Sequence, residues 1–270
     1  GKVVVKELLD KWTSTPAVVQ RFVNEARTMF RLTHRNIVNI LALLTPDDAP
    51  SLKQYYIVMQ YMPGGSLEAR MRRGITWEES VKIAIEVCQG LGRAHAEGVV
   101  HRDIKPANIL LSPDLSEVKI SDFGIAHLPD WKQTSGSMQP GTLLYMAPES
   151  FGRTPGQEID GRADLYALGV TLYQLLTGKE YLSFEEYSRK AEEEIRRKFR
   201  LAPDVEPSFD QQIQWQILIQ QYWKEAVCTV MPPDPRQHNA RIPVDLAEIV
   251  ITSLAKDPGK RYPKAEAMAE

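Results

Sequence analysis

Residues 101–108 read HRDIKPAN, and residues 122–124, a short apolar stretch further on, read DFG. The first segment carries an acid, Asp103, and an amide, Asn108, and the second begins with another acid, Asp122. A carboxylate can accept a proton from a hydroxyl group, and carboxylate and amide oxygens are ligands that suit magnesium. Either segment alone is a common turn or surface sequence. Their order and spacing together favour a site in which one base lies beside two metal ligands.

The residues between the two segments explain how they would meet. Residues 109–111 and 118–120 are short apolar runs, and residues 112–114 read SPD, a turn sequence. This pattern predicts a small β-hairpin. The hairpin would bring Asn108 at its start close to Asp122 at its end.

With these motifs the chain resembles the serine/threonine protein kinases, most closely the bacterial enzymes related to those of eukaryotes. The resemblance implies an α+β fold of two lobes, with a small β-rich N-lobe at residues 1–62 and a larger α-helical C-lobe at residues 63–270. It also implies ATP and Mg²⁺ as cofactors and proteins bearing serine or threonine hydroxyls as substrates. In this reading Asp103 is the base, and Asn108 and Asp122 hold the metal.

The resemblance extends upstream to the phosphate-binding side of the cleft. Residues 3–6 read VVVK and look like the strand whose lysine, here Lys6, grips the α- and β-phosphates. Glu25, in a helical pattern, looks like the glutamate that pairs with this lysine. At about 4 Å in a partly buried cleft, such a pair attracts by roughly 4 kcal/mol. The alternative is an edge-strand lysine and a solvated helix glutamate.

A further apolar run at residues 56–62 ends at a PGG sequence, where the chain is expected to cross between the lobes. By resemblance, Met59 is the gatekeeper, and the backbone of Gln60 and Met62 bonds the adenine edge. Val4 and Leu110 would sandwich the adenine ring, and Val4 stands where the family usually carries alanine. On local sequence alone, Met59 could equally be an ordinary core methionine.

Residues 141–149, GTLLYMAPE, match the end of the kinase activation segment, which would start at Asp122. Lys105 together with Thr142 is the combination found in kinases that modify serine or threonine, and both would steady Asp103 and the substrate hydroxyl. Arg102 implies a segment that a phosphate can order, because an arginine fork holds phosphate oxygens well. The alternative is a plain flexible loop. The candidate phosphorylated residues are Thr134, Ser135 and Ser137.

Two further features are expected to be architectural. Residues 164–176 are apolar nearly all round, which predicts a buried helix, and its Asp164 would brace the loop that contains Asp103. Glu149 and Arg261 match the structural ion pair of the family.

Composition agrees with an intracellular two-lobed enzyme. The chain has 270 residues, is 43% hydrophobic and carries a formal net charge of -2. It lacks a concentrated basic stripe, which argues against nucleic acid as the main partner. Its two cysteines, Cys88 and Cys228, form no ligand or disulfide pattern, so we expect a reducing cytoplasm, with Cys88 in the core. The sequence contains no long apolar run typical of a membrane segment.

Two departures from the family pattern stand out. Only five residues precede Lys6, so the glycine-rich loop that normally covers the phosphates is missing, and we expect the sequence to be an excerpt of a larger protein. If the loop were truly absent, the alternative would be a pseudokinase or a kinase-fold signalling scaffold. A small-molecule phosphotransferase is disfavoured, because residues 141–149 are of the type that receives a protein substrate.

The second departure is an insertion at about residues 180–241. Its aromatic and aliphatic residues recur at helical spacing and could form a docking face for another chain or domain. The alternative is an extra helix that packs on the large lobe. The residues concerned are Trp215, Leu218, Ile219, Tyr222, Trp223 and Ala226.

Overall fold

The structure, a computed structural model, describes residues 1–48, 52, 54–123, 143–151 and 159–270. The N-terminal part contains an antiparallel sheet of strands β1 (Val3–Glu7), β2 (Ile40–Leu44) and β3 (Tyr56–Gln60) in the order β1-β3-β2. In the β1-β3 register, Val4 lies opposite Met59 and Lys6 opposite Ile57.

One long helix covers this sheet. After the short helix α1 (Asp10–Thr13), helix α2 (Pro16–Arg31) begins with a proline, whose fixed backbone angle suits the first helical turn. Phe22, Ala26 and Met29 recur at helical spacing and are buried. Glu25 lies next to this apolar stripe, so packing of the stripe brings its side chain to the sheet side of the helix.

The C-terminal part is mostly helical and surrounds one buried helix. Helix α3 (Leu67–Met71) leads to α4 (Trp77–Ala96), which starts with a capping box between Thr76 and Glu79. Helix α5 (Arg162–Thr177) packs on α4 and is buried along nearly its whole length, as its apolar sequence predicts. It ends at Gly178, which has a φ of 67°, a conformation that glycine adopts without strain.

The predicted hairpin is present as strands β4 (Ile109–Leu111) and β5 (Val118–Ile120), with Ile109 opposite Ile120. It also connects the two parts of the chain, since the Val38 N–H donates to the Ile120 carbonyl at 2.9 Å. The hairpin therefore lies under the sheet at the floor of the cleft between the two parts.

The insertion forms a pair of helices, α6 (Phe184–Phe199) and α7 (Phe209–Thr229), which pack on each other. Along α7, Trp223, Ala226 and Val227 are buried in the same core as α5, and Ile219 is buried as well. These side chains pack within the chain, which is the second of the two alternatives that the sequence left open.

The chain closes with α8 (Val244–Ser253) and α9 (Ala265–Ala269). A small antiparallel sheet followed by a helical remainder agrees with the predicted α+β class. Cys88 is buried in α4, as expected. Within the described ranges, none of the helices has both the length and the apolar character that crossing a membrane requires.

Candidate active site

The loop before β4 brings together the carboxylate of Asp103, the ammonium group of Lys105 and the amide of Asn108. A 3-10 turn at Pro106–Asn108 bends the chain, so that the Asn108 Nδ2 donates to the Asp103 carbonyl at 2.8 Å and to Asp103 Oδ2 at 3.0 Å. The Lys105 Nζ lies 3.0 Å from the same Asp103 Oδ2. The carboxylate of Asp103 is thus held by two side chains while 11% of its side-chain surface stays exposed.

A buried acid braces this loop from below. Asp164 accepts hydrogen bonds from the backbone N–H of His101 at 2.8 Å and of Arg102 at 2.7 Å, and from His95 Nε2 at 2.8 Å. Arg102 has a φ of 66°, an uncommon backbone conformation for a residue with a side chain. Because Asp164 accepts hydrogen bonds from the backbone N–H groups of both His101 and Arg102, it stabilises this strained turn, as the sequence predicted.

His101 joins the loop to the end of the hairpin. Its Nε2 donates to the Ser121 carbonyl at 2.8 Å, while its Nδ1 accepts the Asp103 N–H at 3.1 Å. The ring also packs on Phe123, with the ring centroids 4.5 Å apart. One buried imidazole therefore fixes the loop that contains Asp103 relative to Ser121 and Phe123.

Asp122 lies beside Asn108, as the hairpin predicted. The Ser121 N–H donates to the Asn108 carbonyl at 2.9 Å, and the Ser121 hydroxyl donates to Asp122 Oδ2 at 3.1 Å. Burial alone would raise the pKa of Asp122, but the ion pair with Lys6 and the Ser121 hydroxyl together hold it below its usual value. The carboxylate is therefore charged at neutral pH.

Lys6 contacts two acids at the top of the cleft. Its Nζ lies 2.6 Å from Asp122 Oδ1 and 3.6 Å from Glu25 Oε1. Glu25 is buried, so the alternative of a solvated helix residue is wrong, and its Oε2 has no hydrogen-bond partner among the described residues. Burial raises the pKa of Glu25 to about 8, Lys6 opposes this shift, and the negative charge of Asp122 adds to it.

Three of the predicted adenine-binding residues, Met59, Gln60 and Met62, lie at the crossing between the two parts, whereas Val4 lies on β1 and Leu110 on β4. Met59 and Met62 are buried, whereas Val4 is exposed and Leu110 half-buried. The Gln60 N–H donates to the Asn39 carbonyl at 2.9 Å, and the Met62 carbonyl accepts the Gly65 N–H at 3.2 Å.

Gly64 permits the close approach of this crossing to β4. Its N–H donates to the Leu111 carbonyl at 2.9 Å. A Cβ atom at this position would lie 2.5 Å from that carbonyl oxygen, which is too close for any side chain. The crossing can therefore lie directly on β4.

The end of the activation segment, residues 143–151, is anchored at three points. Glu149 forms a two-pronged ion pair with Arg261, with oxygen to nitrogen distances of 2.7 and 2.8 Å. The Tyr145 hydroxyl donates to Gln174 of α5 at 2.8 Å, and the Trp223 indole N–H donates to the Leu143 carbonyl at 3.1 Å. The predicted site residue Thr142 and the candidate phosphorylated residues Thr134, Ser135 and Ser137 lie outside the described residues.

Sequence reasoning missed three of these contacts. His95 and Ser121 carry no motif of their own, and their roles follow from the packing of α4 and β5 against the loop. Trp223 was identified only as part of an apolar stripe. A tryptophan in a buried stripe needs a partner for its N–H group, and this requirement is the one signal that could have pointed to Leu143.

This arrangement of two acids, an amide and a lysine is typical of a phosphotransferase site of the kinase type. A model of the protein kinase domain matches residues 1–270. The chain therefore belongs to the protein kinase family, and its curated relatives are bacterial kinases.

Two such relatives come from Myxococcus xanthus. The serine/threonine-protein kinase Pkn1 is 34% identical over 267 residues, which cover 97% of this chain and 33% of Pkn1. The tyrosine-protein kinase MasK is 31% identical over 283 residues, which cover 99% of this chain and 37% of MasK. The chain thus spans about a third of the length of these relatives.

The fold is also found among solved structures. The crystal structure of the PknI kinase domain from Mycobacterium tuberculosis superposes with a TM-score of 0.63 at 24% identity, over 100% of this chain and 84% of that chain. This likeness confirms the predicted two-lobed α+β kinase fold.

Proposed function

We propose that this chain transfers the γ-phosphoryl group of magnesium-bound ATP to serine or threonine hydroxyls of proteins. The observation that carries the proposal is the convergence of three groups on one cleft. Asn108 and Lys105 both hold the carboxylate of Asp103, and Ser121 ties Asn108 to Asp122. Phosphoryl transfer depends on positioning and charge stabilisation, and this network supplies both.

In this proposal Asp103 accepts the proton of the substrate hydroxyl. Its Oδ2 is held by Asn108 and Lys105, which fixes the orientation of the carboxylate. The ammonium group of Lys105 lies where it can also stabilise the negative charge of the phosphoryl group in transfer. Thr142 is proposed to steady Asp103 and the hydroxyl from the activation segment.

The donor groups fit a magnesium ion. The Asn108 Nδ2 is used by Asp103, so the amide presents its Oδ1 as the remaining ligand, and Asp122 offers a charged carboxylate. Oxygen donors of this kind, few in number, suit an ion that keeps waters and phosphate oxygens as its other ligands. When bound, the metal neutralises phosphate charge.

Lys6 is proposed to bind the α- and β-phosphates, and Glu25 to orient it. The Lys6 Nζ is closer to Asp122 than to Glu25. A metal at Asp122 would compete for that carboxylate. Lys6 would then turn toward the phosphates and Glu25, which has an oxygen in need of a partner.

The adenine ring is proposed to bind against the chain crossing. The Gln60 N–H is already used by Asn39, so its carbonyl would accept from the adenine amino group, and the Met62 N–H would donate to the ring. Met59 would line the back of the pocket, with Val4 above the ring and Leu110 below it.

Three further parts of the prediction are carried forward as proposals. The first is the division into lobes at residues 1–62 and 63–270. The second is a partner domain or chain at the insertion, residues 180–241, supported by the exposed side chains of Phe209, Ile213 and Ile217 on one face of α7. The third is a reducing cytoplasm, supported by the unpaired thiols of Cys88 and Cys228.

The test is phosphoryl transfer from labelled ATP in the full-length protein, with the Asp103→Asn variant. Loss of a general base costs roughly 10²- to 10⁴-fold in rate, and the metal ligands remain. We therefore expect transfer to fall by this factor while the Kd of Mg-ATP stays within about twofold. The exposed Asp204 gives the matched control, and Asp204→Asn should behave like the wild type.

Because MasK is named a tyrosine kinase, the substrates should be peptides that differ only in a serine, threonine or tyrosine acceptor. Labelling of serine and threonine but not tyrosine would support the proposal. Undiminished transfer by Asp103→Asn would refute the role of Asp103, and a wild-type protein without transfer would favour the scaffold alternative.

A further inference from the structure

The second helix of the insertion forms a hydrogen bond to the activation segment through the side chain of Trp223. The Trp223 indole N–H donates to the Leu143 carbonyl at 3.1 Å, across 80 positions of sequence. Trp223 is fully buried, with 0% of its surface exposed. The contact therefore links a part of the chain that the family pattern does not require with residues next to Thr142.

Both insertion helices fix the position of this donor. The Trp223 ring packs against Phe184 at a centroid distance of 5.4 Å and against Tyr187 at 5.8 Å, and both of these residues belong to α6. Ile219 and Ala226 of α7 are buried on either side of it along the helix. A ring that is enclosed in this way has little freedom to turn, so its N–H points in a fixed direction.

The acceptor lies at the start of a turn. The Leu143 carbonyl also accepts the Met146 N–H at 3.2 Å, which closes the turn at residues 143–146. Further along, the segment is anchored by Tyr145 to Gln174 of α5 and by Glu149 to Arg261. Those two anchors lie outside the insertion, whereas Trp223 supplies an anchor from inside it, nearest to Thr142.

We propose that the insertion positions the part of the activation segment on which the protein substrate lies, with Trp223 as the positioning residue. This inference rests on the proposed function, since it concerns the same reaction. Because Trp223 touches neither the nucleotide side of the cleft nor Asp103, it acts on substrate recognition and not on ATP. The insertion then contributes to substrate selection, in addition to packing on the rest of the chain.

The experiment compares Trp223→Phe with a matched control, Trp215→Phe. Phenylalanine keeps an aromatic ring and removes the N–H donor. The Trp215 indole N–H also donates to a backbone carbonyl, that of Ser188 in α6 at 3.3 Å, so this variant loses a similar bond inside the insertion. The full-length protein is assayed with a protein or peptide substrate and for ATP hydrolysis in its absence.

We expect Trp223→Phe to lower kcat/KM for the peptide by roughly three- to tenfold, the effect of losing one neutral hydrogen bond. The Kd of Mg-ATP and the rate of ATP hydrolysis should change by less than about twofold. Amide hydrogen exchange should quicken at residues 143–146 and stay unchanged in α4. Trp215→Phe should leave all four measurements near the wild-type values.

The proposal fails if Trp223→Phe lowers peptide phosphorylation and ATP hydrolysis together, or if Trp215→Phe gives the same loss. If Trp223→Phe does not fold, Phe184→Leu loosens the packing of the ring without removing the donor, and a smaller change of the same kind is expected. A wild-type protein without transfer would refute the proposed function instead. In that case the amide exchange of residues 143–146 still decides whether Trp223 positions the segment.

Discussion

Two ion pairs join distant parts of this chain, and they differ in how completely their atoms are satisfied. Lys6 and Asp122 are 116 positions apart in sequence, and Glu149 and Arg261 are 112 apart. Each pair fixes one end of the activation segment. The first lies in the cleft beside the nucleotide side of the site, and the second lies in the core of the large lobe.

The pair at the end of the segment is fully satisfied. The Arg261 side chain is 0% exposed, and besides Glu149 it donates to the backbone carbonyls of Ala255, Arg162 and Lys256 at 2.8 to 3.2 Å. Its guanidinium group also lies over the Tyr166 ring, 4.9 Å from the centroid. The planar group with its fixed donors suits such a buried position.

The pair at the start of the segment, Lys6 with Asp122, is only partly satisfied. The Lys6 side chain is 30% exposed and has one close acid and one at 3.6 Å. Glu25 is buried with an oxygen that lacks a partner among the described residues. A buried polar oxygen without a hydrogen-bond partner costs free energy, so this arrangement is ready to gain from a rearrangement in which Lys6 moves toward Glu25.

The comparison shows that ion pairs can either hold the architecture or allow a site to rearrange. A satisfied, buried ion pair has no better arrangement available, so it holds the architecture. An under-satisfied pair at the cleft can exchange partners at little cost, so it can respond to a nucleotide or a metal ion.

The largest effect is expected for Arg261→Met. Removing one partner of a buried ion pair typically costs 3 to 5 kcal/mol, because a charge is left buried and unpaired. We expect the free energy of unfolding to fall by about this amount in a denaturant titration. Arg236, in an exposed pair with Asp234, is the matched control, and Arg236→Met should leave the free energy of unfolding close to that of the wild type.

The double variant Arg261→Met with Glu149→Leu sharpens this prediction. It removes the stranded carboxylate as well, so part of the lost stability should return. Equal losses in Arg261→Met and Arg236→Met would show that the pair is not architectural.

The next effect is expected for Lys6→Met, which should act on activity and not on stability. Hydrogen bonds to charged groups contribute about 1.5 to 3 kcal/mol each, so kcat/KM for ATP should fall on the order of a hundredfold. Because Lys6 is partly exposed, the free energy of unfolding should change by no more than about 1 kcal/mol. Steady-state kinetics and a denaturant titration measure the two quantities.

Lys2, at the exposed start of the chain, supplies the control. Lys2→Met should match the wild type in both measurements. A large loss of stability in Lys6→Met would contradict the contrast between the two ion pairs.

The smallest effect concerns the pH dependence of stability, through Glu25→Gln. Burial raises the pKa of Glu25 from its ordinary value of 4.5 to about 8, so between these pH values the folded state holds the proton and the unfolded state does not. Stability conferred in this way is lost as the pH rises toward 8. From about pH 7 to about pH 8, the wild type should lose roughly 1 kcal/mol more than Glu25→Gln.

Thermal unfolding without nucleotide at several pH values measures this difference. Glu97, half exposed at the end of α4, provides the control, and Glu97→Gln should follow the wild-type curve. Parallel curves for the wild type and Glu25→Gln would show that Glu25 is already charged and fully paired.

Much of the site could be predicted because its motifs are local. One short loop, residues 103–108, contains Asp103, Lys105 and Asn108. The hairpin that follows needs only apolar residues and a turn sequence. The buried helix α5 and the pair of Glu149 with Arg261 were also correctly predicted. The closer contact of Lys6 with Asp122 was not, because a choice between two acids depends on distances that spacing does not encode.

The insertion shows where sequence reasoning stopped. Its helices follow from apolar periodicity and charge spacing, but the same stripe fits a docking face or an internal packing surface. Which of these occurs depends on the shape of the groove that α5 and residues 143–151 offer, and Trp223 fills that groove.

The sequence by itself determined the family, the α+β class and the candidate residues for the chemistry, because these depend on residue types at short, fixed spacings. The tertiary structure decided which acid Lys6 contacts most closely, how deeply Glu25 is buried and which carbonyl accepts the Trp223 N–H group. Burial and hydrogen-bond geometry arise only when segments a hundred positions apart pack together, so no local pattern contains them.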